Sequence, residues 1–255
     1  MNVFTSLRTG LLVLVVVAFA ASSWSQVDPE QLGSTSSLDQ LKMGFGAVEE
    51  GRYEDALDHY RLAFELTTIS ELRFQSHLGM GLASVALGRL SDARSSYELA
   101  LEIRPGHAHT LFFLGQVAKD QGRYEDAATL FANAAVQDPA IIEALIELGV
   151  VYAHLGRNRD AADACGRAVA AQSDHEAALL CHGVALYHLG LYPEAAEAFT
   201  TVTEINPDNP RAHYGLGLAK LFGGDRDGAI TEYGLLRALD PDLAGDLYDR
   251  IFSQE

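Results

Sequence analysis

Small residues recur along this chain at a fixed interval, and that interval constrains the fold more than any other feature. Glycines fall at Gly44, Gly81, Gly115, Gly149, Gly183 and Gly217, in one step of 37 residues and then steps of 34. A second glycine set, Gly51, Gly88, Gly122, Gly156, Gly190 and Gly224, keeps the same steps, and so does an alanine set at Ala56, Ala93, Ala127, Ala161, Ala195 and Ala229. Four residues after each alanine stands Tyr60, Tyr97, Phe131, Cys165, Phe199 or Tyr233, and Pro105, Pro139, Pro207 and Pro241 close four of the copies. Four registers held over six copies mean one structural unit repeated six times. A unit this short cannot bury its own apolar face and has to stack on its neighbours.

The chemistry of each register says what the unit is. Between the two glycines of a copy, apolar residues recur at helical spacing, as in Leu111, Leu114, Gly115 and Ala118, which predicts a first helix. The second glycine breaks it. Acidic pairs such as Glu54-Asp55 and Glu125-Asp126 then open a second helix, where negative charge suits the positive end of the helix dipole. Proline ends that helix, having no backbone donor and clashing with the preceding turn. The first-ladder glycine and the alanine let the two helices approach closely, and the Tyr/Phe ladder fills the space beside them.

This pattern resembles the tetratricopeptide repeat family, from Ser37 to about Leu243. The resemblance implies an all-α, right-handed superhelical solenoid of helix-turn-helix units at residues 37–73, 74–107, 108–141, 142–175, 176–209 and 210–243. Three departures stand out. The first copy is three residues too long and has Thr68 in place of the closing proline, and Thr68-Ile69-Ser70-Glu71 reads as a capping box for the next helix. The fourth copy has Cys165 for the aromatic and Ser173 for the proline. The family's tryptophan is absent throughout, with Gln40, His77, Leu111, Leu145, Leu179 and His213 at its position. In the tail, Leu243, Leu247 and Ile251 share one helical face and predict a capping helix within 244–255 over the sixth repeat.

Residues 1–20 have the three-part pattern of a signal peptide, with Arg8, the apolar run Leu11 to Ala21 and an Ala18-Phe19-Ala20 cleavage site; Ser23-Trp24-Ser25 is a second site. The apolar run is too short for a stable membrane span. Residues 21–36 read as a polar linker. Export to the periplasm or cell envelope follows, in keeping with an alanine- and arginine-rich, lysine-poor composition of the kind found in GC-rich bacteria. A retained anchor at residues 9–27 is the alternative, and the only route by which a membrane enters. No cysteine follows the run, so a lipid-modified N-terminus is not supported.

Composition removes further classes. With 18 Lys+Arg against 35 Asp+Glu and a net charge of −17, a nucleic-acid partner has no electrostatic support. No nucleophile elbow, phosphate loop, dinucleotide fingerprint or zinc-protease helix is present, so neither an enzyme nor a cofactor is expected. His107 and His109 share a turn, and His154 and His188 are equivalent one repeat apart. Neither pair supplies the three or four ligands of a zinc site. Cys165 and Cys181 read as small packing residues, one register pointing inward and the other toward the concave face, with oxidation open to an exported chain if the geometry allows.

In the tetratricopeptide family the first helices line a concave surface. That register places Leu38, Leu41, Lys42 and Phe45, then Leu78, Leu82 and Val85, in the first two copies. The best candidates for a partner-binding strip are Phe112, Phe113, Gln116 and Lys119, followed by Ile146 and Val150, by Leu180, Val184, Tyr187 and His188, and by Tyr214, Leu218 and Phe222. Basic residues are only Lys42, Lys119 and Arg211, each in a different copy, so a terminal-carboxylate clamp is disfavoured. The strip is apolar and close to neutral, the acidic excess lying on outer helices and turns. It fits a protein partner that offers an apolar peptide or helix. The function expected is a non-catalytic interaction scaffold or assembly factor. A membrane-tethered spacer or oligomerisation component is the alternative, and a homo-oligomer stays open.

Overall fold

The computed structural model describes residues 35–252, and every regular element among them is an α-helix. The signal-peptide expectation and most of the linker lie outside the described residues. The linker's last two residues, Thr35 and Ser36, already belong to the first helix. The chain divides into two compact units, one ending at Arg123 and one beginning at Tyr124.

The first unit contains α1 (Thr35–Glu49), α2 (Tyr53–Glu65), α3 (Ser70–Ala86), α4 (Leu90–Ile103) and α5 (Ala108–Asp120). The second contains α6 (Tyr124–Gln137), α7 (Ile142–His154), α8 (Asn158–Ala171), α9 (Glu176–His188), α10 (Tyr192–Ile205), α11 (Pro210–Phe222), α12 (Arg226–Leu239) and α13 (Pro241–Phe252). Within each unit every helix packs on the next. First helices also meet across a repeat, α1 with α3, α7 with α9 and α9 with α11.

The helix ends follow from the residues placed there. Second-ladder glycines stop the first helices by adopting a left-handed φ, +74° at Gly51 and +77° at Gly190, which costs glycine little. The following amide then closes the helix end, Arg52 N–H donating to the Ala47 carbonyl at 2.7 Å and Leu191 N–H to that of Leu186 at 3.1 Å. The next first helices open on side-chain caps. His107, His175 and Asn209 occupy equivalent positions and accept from the amides of Thr110, Ala178 and Ala212.

Two terminus expectations are corrected. Thr68 does not cap α3; the cap residue is Ile69, and its amide donates to Thr67 Oγ1 at 3.1 Å, because the buried Thr67 is the hydroxyl that faces the turn. The C-terminal helix starts at Pro241 rather than 244. Pro105, Pro139 and Pro207 lie just past a helix end, whereas Pro241 is a first helical residue, where its missing donor is harmless. The Asp240 carboxylate accepts from the amides of Asp242 and Leu243 at 3.1 and 3.0 Å and fixes that start.

The core is the aromatic ladder. Tyr60, Tyr97 and Phe131 are 0% exposed and Phe199 2%. Burying such a ring is worth about 4 to 6 kcal/mol gross, at ~25 cal/mol per Å² over roughly 150–250 Å². The Tyr60 and Phe199 rings sit in slots that glycine keeps open on both sides. A Cβ on Gly44 or Gly79 would lie 2.7 or 2.5 Å from the Tyr60 ring, and one on Gly183 or Gly215 would lie 2.8 or 2.6 Å from that of Phe199. The first glycine of each pair is from the ring's own repeat. The second stands two residues before the ladder glycine of the next. In the sixth repeat Leu247 of α13 fills the slot instead, 2.6 Å from a Cβ on Gly217, and Tyr233 is left half-buried.

The ladder in the fourth repeat holds a correction. Cys165 and Cys181 are not separate packing residues; they form a disulfide, with Cα atoms 5.7 Å apart. The two registers point at one spot, because the residue two before a ladder glycine faces the ladder aromatic of the repeat before it. The missing tryptophan is replaced in the sixth repeat by a polar network. Buried His213 is bonded through Nδ1 to Glu232 at 2.7 Å and donates from Nε2 to the Pro207 carbonyl at 2.8 Å, while Lys220 donates to Glu232 at 2.7 Å.

Candidate functional site

The groove register separates into residues that reach the surface and residues that build the interior. Phe113, Leu180 and Leu218 are buried, which corrects their reading as open groove positions. Phe113 stands two residues before Gly115, and its ring stacks on Tyr97 with centroids 6.0 Å apart, so it is a core residue of the first unit. Leu180 joins the cluster around Phe199. Leu218 lies under α13, against Ala244 and Leu247. Leu41, Leu78 and Leu82 are buried for the same reason, as packing between helices of the first unit.

In the first unit, α5 carries Phe112, Gln116 and Lys119, all half-buried, with the Phe112 ring against Phe113 at 5.7 Å. In the second unit, α7 offers half-buried Ile146 and Val150, and α9 offers Val184, half-buried Tyr187 and exposed His188. Val184 and Phe222 of α11 are 38% and 40% exposed.

The second unit gathers its aromatics at the end of α9 and α11. Tyr187 lies 5.8 Å from Phe222, and Tyr192, the first residue of α10, lies 5.7 Å from Tyr187 and 5.9 Å from Phe222. His188 packs edge-on against Tyr187 at 5.5 Å. Tyr192 escaped the groove register because it belongs to a second helix. Its signal was in the sequence, since Tyr53 and Tyr124 stand at the same offset after their glycines. Tyr124 likewise stacks on His154, 5.1 Å away, so the ring at this offset meets the last turn of the next first helix.

Tyr214 does not join that trio. Its hydroxyl donates to the Asp246 carboxylate of α13, which also accepts from Arg250 at 2.7 Å. Burial, with the Asp246 bond second, pushes the Tyr214 phenol up to about 12, so it is a protonated donor at neutral pH. The same hydroxyl and Arg250 hold Asp246 below the usual carboxylate range. This part of the strip is covered by the chain's own last helix.

Chemically the open part is apolar and aromatic. Its rings and methyls offer apolar area and ring faces, and burial raises the Tyr187 phenol above its ordinary value. Among the described residues no group of three or more His, Cys, Asp or Glu converges to hold a metal, and no helix is long and apolar enough to cross a membrane.

Paired antiparallel helices, the glycine-walled ring slots and the first-helix contacts define a helix-pair repeat solenoid. The comparisons agree: a tetratricopeptide repeat model matches residues 41–108 and 114–177, more than half of the chain, a second matches 84–140, and a TPR repeat model matches 183–221. The chain belongs to the tetratricopeptide repeat family. Among solved structures it is similar to MamA, at 26% identity and a TM-score of 0.62, covering 68% of this chain and 94% of that one. It is similar also to YrrB, described as a TPR protein with an unusual peptide-binding site, at 23% identity, TM-score 0.62 and coverages of 68% and 91%. PilF of Pseudomonas aeruginosa follows at 20% identity and TM-score 0.68, covering 86% of this chain and 98% of its own. The last two likenesses show the fold alone. No protein with a curated description matches this sequence. Repeat proteins of this kind are in general non-catalytic scaffolds for protein partners.

Proposed function

We propose that this chain is a non-catalytic interaction scaffold of the cell envelope, and that it holds an apolar peptide or amphipathic helix of a partner protein against the first-helix face of its second unit. The observation that carries the reading is the aromatic trio. Tyr187, Tyr192 and Phe222 cluster within 6 Å of one another beside exposed Val184, and Phe222 is 40% exposed although it is among the largest apolar residues of α11. Aromatics presented together on a rigid helical scaffold are the usual anchors of protein interfaces. The strip is apolar and close to neutral within a strongly acidic chain, which favours an apolar segment over a strongly basic one. Support for the envelope comes from the N-terminal sequence pattern and from the disulfide, a bond that persists in oxidising compartments.

The test is site-specific photocrosslinking in cells, with the crosslinker at Val184 on this face or at Ile230 on the outer side of α12. A partner of the proposed kind is captured from 184 and not from 230, and the Tyr187→Ala/Phe222→Ala double variant loses it. Equal capture from both positions, with the double variant unchanged, refutes the groove. N-terminal sequencing of the mature chain tests export with cleavage: a start near Ala21 or Gln26 supports it, and a start at Met1 favours the tethered component.

A further inference from the structure

One junction in the second unit is built differently from those around Tyr60 and Phe199. Around Phe199 the order is glycine, ring, glycine, with Gly183 and Gly215 as the walls, and Tyr60 is held in the same way by Gly44 and Gly79. The equivalent positions where α7, α8 and α9 meet are Gly149, Cys165 and Cys181. A Cβ on Gly149 would lie 2.2 Å from Cys165 Sγ and 2.9 Å from Cys181 Sγ, so the sulfurs occupy the place of the ring. Cys165 is 0% exposed. Two thiols bury far less apolar surface than a phenylalanine, and Gly149 has no side chain with which to fill the difference.

We propose that the Cys165–Cys181 disulfide is a redox latch on this junction. When oxidised, the covalent bond replaces the missing ring and seats α9 against α7 and α8. Reduction leaves a slot with neither ring nor bond, and α9 loosens, carrying Val184, Tyr187 and His188 with it. Closing the latch takes two protons and two electrons from the thiols. An oxidised dithiol, as found in thiol-oxidising compartments, accepts them through its own S–S bond and becomes two thiols, and a reduced dithiol reverses the step. The latch does not depend on which surface binds a partner.

Hydrogen exchange of the full chain, read by mass spectrometry with and without dithiothreitol, tests it. Reduction should speed exchange in residues 158–188 at least tenfold and leave α1 to α4 unchanged, since the chain's two cysteines both lie in the latch. The Cys165→Ala/Cys181→Ala variant should exchange like the reduced chain in either condition. The Cys165→Phe/Cys181→Gly variant, which restores the arrangement around Phe199, should exchange slowly and ignore the reductant. Unchanged exchange in α9 once alkylation shows both thiols free, or slow exchange in the double-alanine variant, overturns the latch.

Discussion

The ring slot around Phe199 makes a quantitative prediction about coupling between residues sixteen apart in sequence, Phe199 and Gly215. Truncating Phe199 to alanine empties a slot whose two flanking walls, Gly183 and Gly215, have no side chain to move into it. The cost belongs in the middle of the range for a buried aromatic, about 4 kcal/mol. Gly215→Ala on its own places a Cβ 2.6 Å from the ring. Overpacking costs ~1–3 kcal/mol, partly offset by the ~1 kcal/mol that alanine gains over glycine inside a helix, for a net loss of about 0 to 2 kcal/mol. Together the changes relieve each other, because the new methyl enters the space the ring has left and the helix gain is retained. The double variant should lose about 3 kcal/mol, less than the first change alone. The cycle therefore carries a coupling of roughly 2 kcal/mol. The assay is urea denaturation followed by circular dichroism, with hydrogen exchange in α10 and α11 as a local readout, since repeat proteins need not unfold in one step. Strict additivity within ~0.5 kcal/mol would refute the reasoning that glycines are there to hold the ring.

Three more outcomes follow from the same geometry. The hydroxyls of Tyr60 and Tyr97 are buried with no hydrogen-bond partner, and burial pushes both phenols well above their ordinary range. Tyr60→Phe and Tyr97→Phe should each stabilise the first unit by ~1 kcal/mol in urea titration, as Phe131 and Phe199 do the same work without the hydroxyl. His107, whose ring caps α5 as an acceptor, is pushed down to about 4 by burial, with the charges of His109 and Arg104 adding to it. The unfolded chain takes up that proton near pH 6.5 and the folded chain only near 4, so stability is lost as pH falls through this window. After allowance for partial exposure the loss is ~2 kcal/mol, and His107→Asn, the residue used at Asn209, should flatten the profile. Glu232→Gln removes the carboxylate that His213 and Lys220 share and should cost ~2–3 kcal/mol by thermal melting, less than a fully enclosed pair because Lys220 can turn to solvent.

The period of 34 residues determined the helix pairs, their order and the breaks between them, because glycine, alanine and proline act through the local backbone. It also determined the family, which the comparisons show independently. What it did not determine was which residues on a first helix meet the outside. Phe113, Val184 and Leu218 all fit the same apolar spacing, yet one stacks inside on Tyr97, one is open and one lies under α13. Periodicity reports the face of a helix, whereas exposure depends on what the neighbouring helix presents there. Tertiary structure likewise brought Cys165 and Cys181 to one slot. Each sits on its own helix face, and only the staggered stacking of one repeat on the next turns those two faces into a contact. The aromatic trio has the same origin, since Tyr187, Tyr192 and Phe222 come from three helices and become a surface only when two repeats stack.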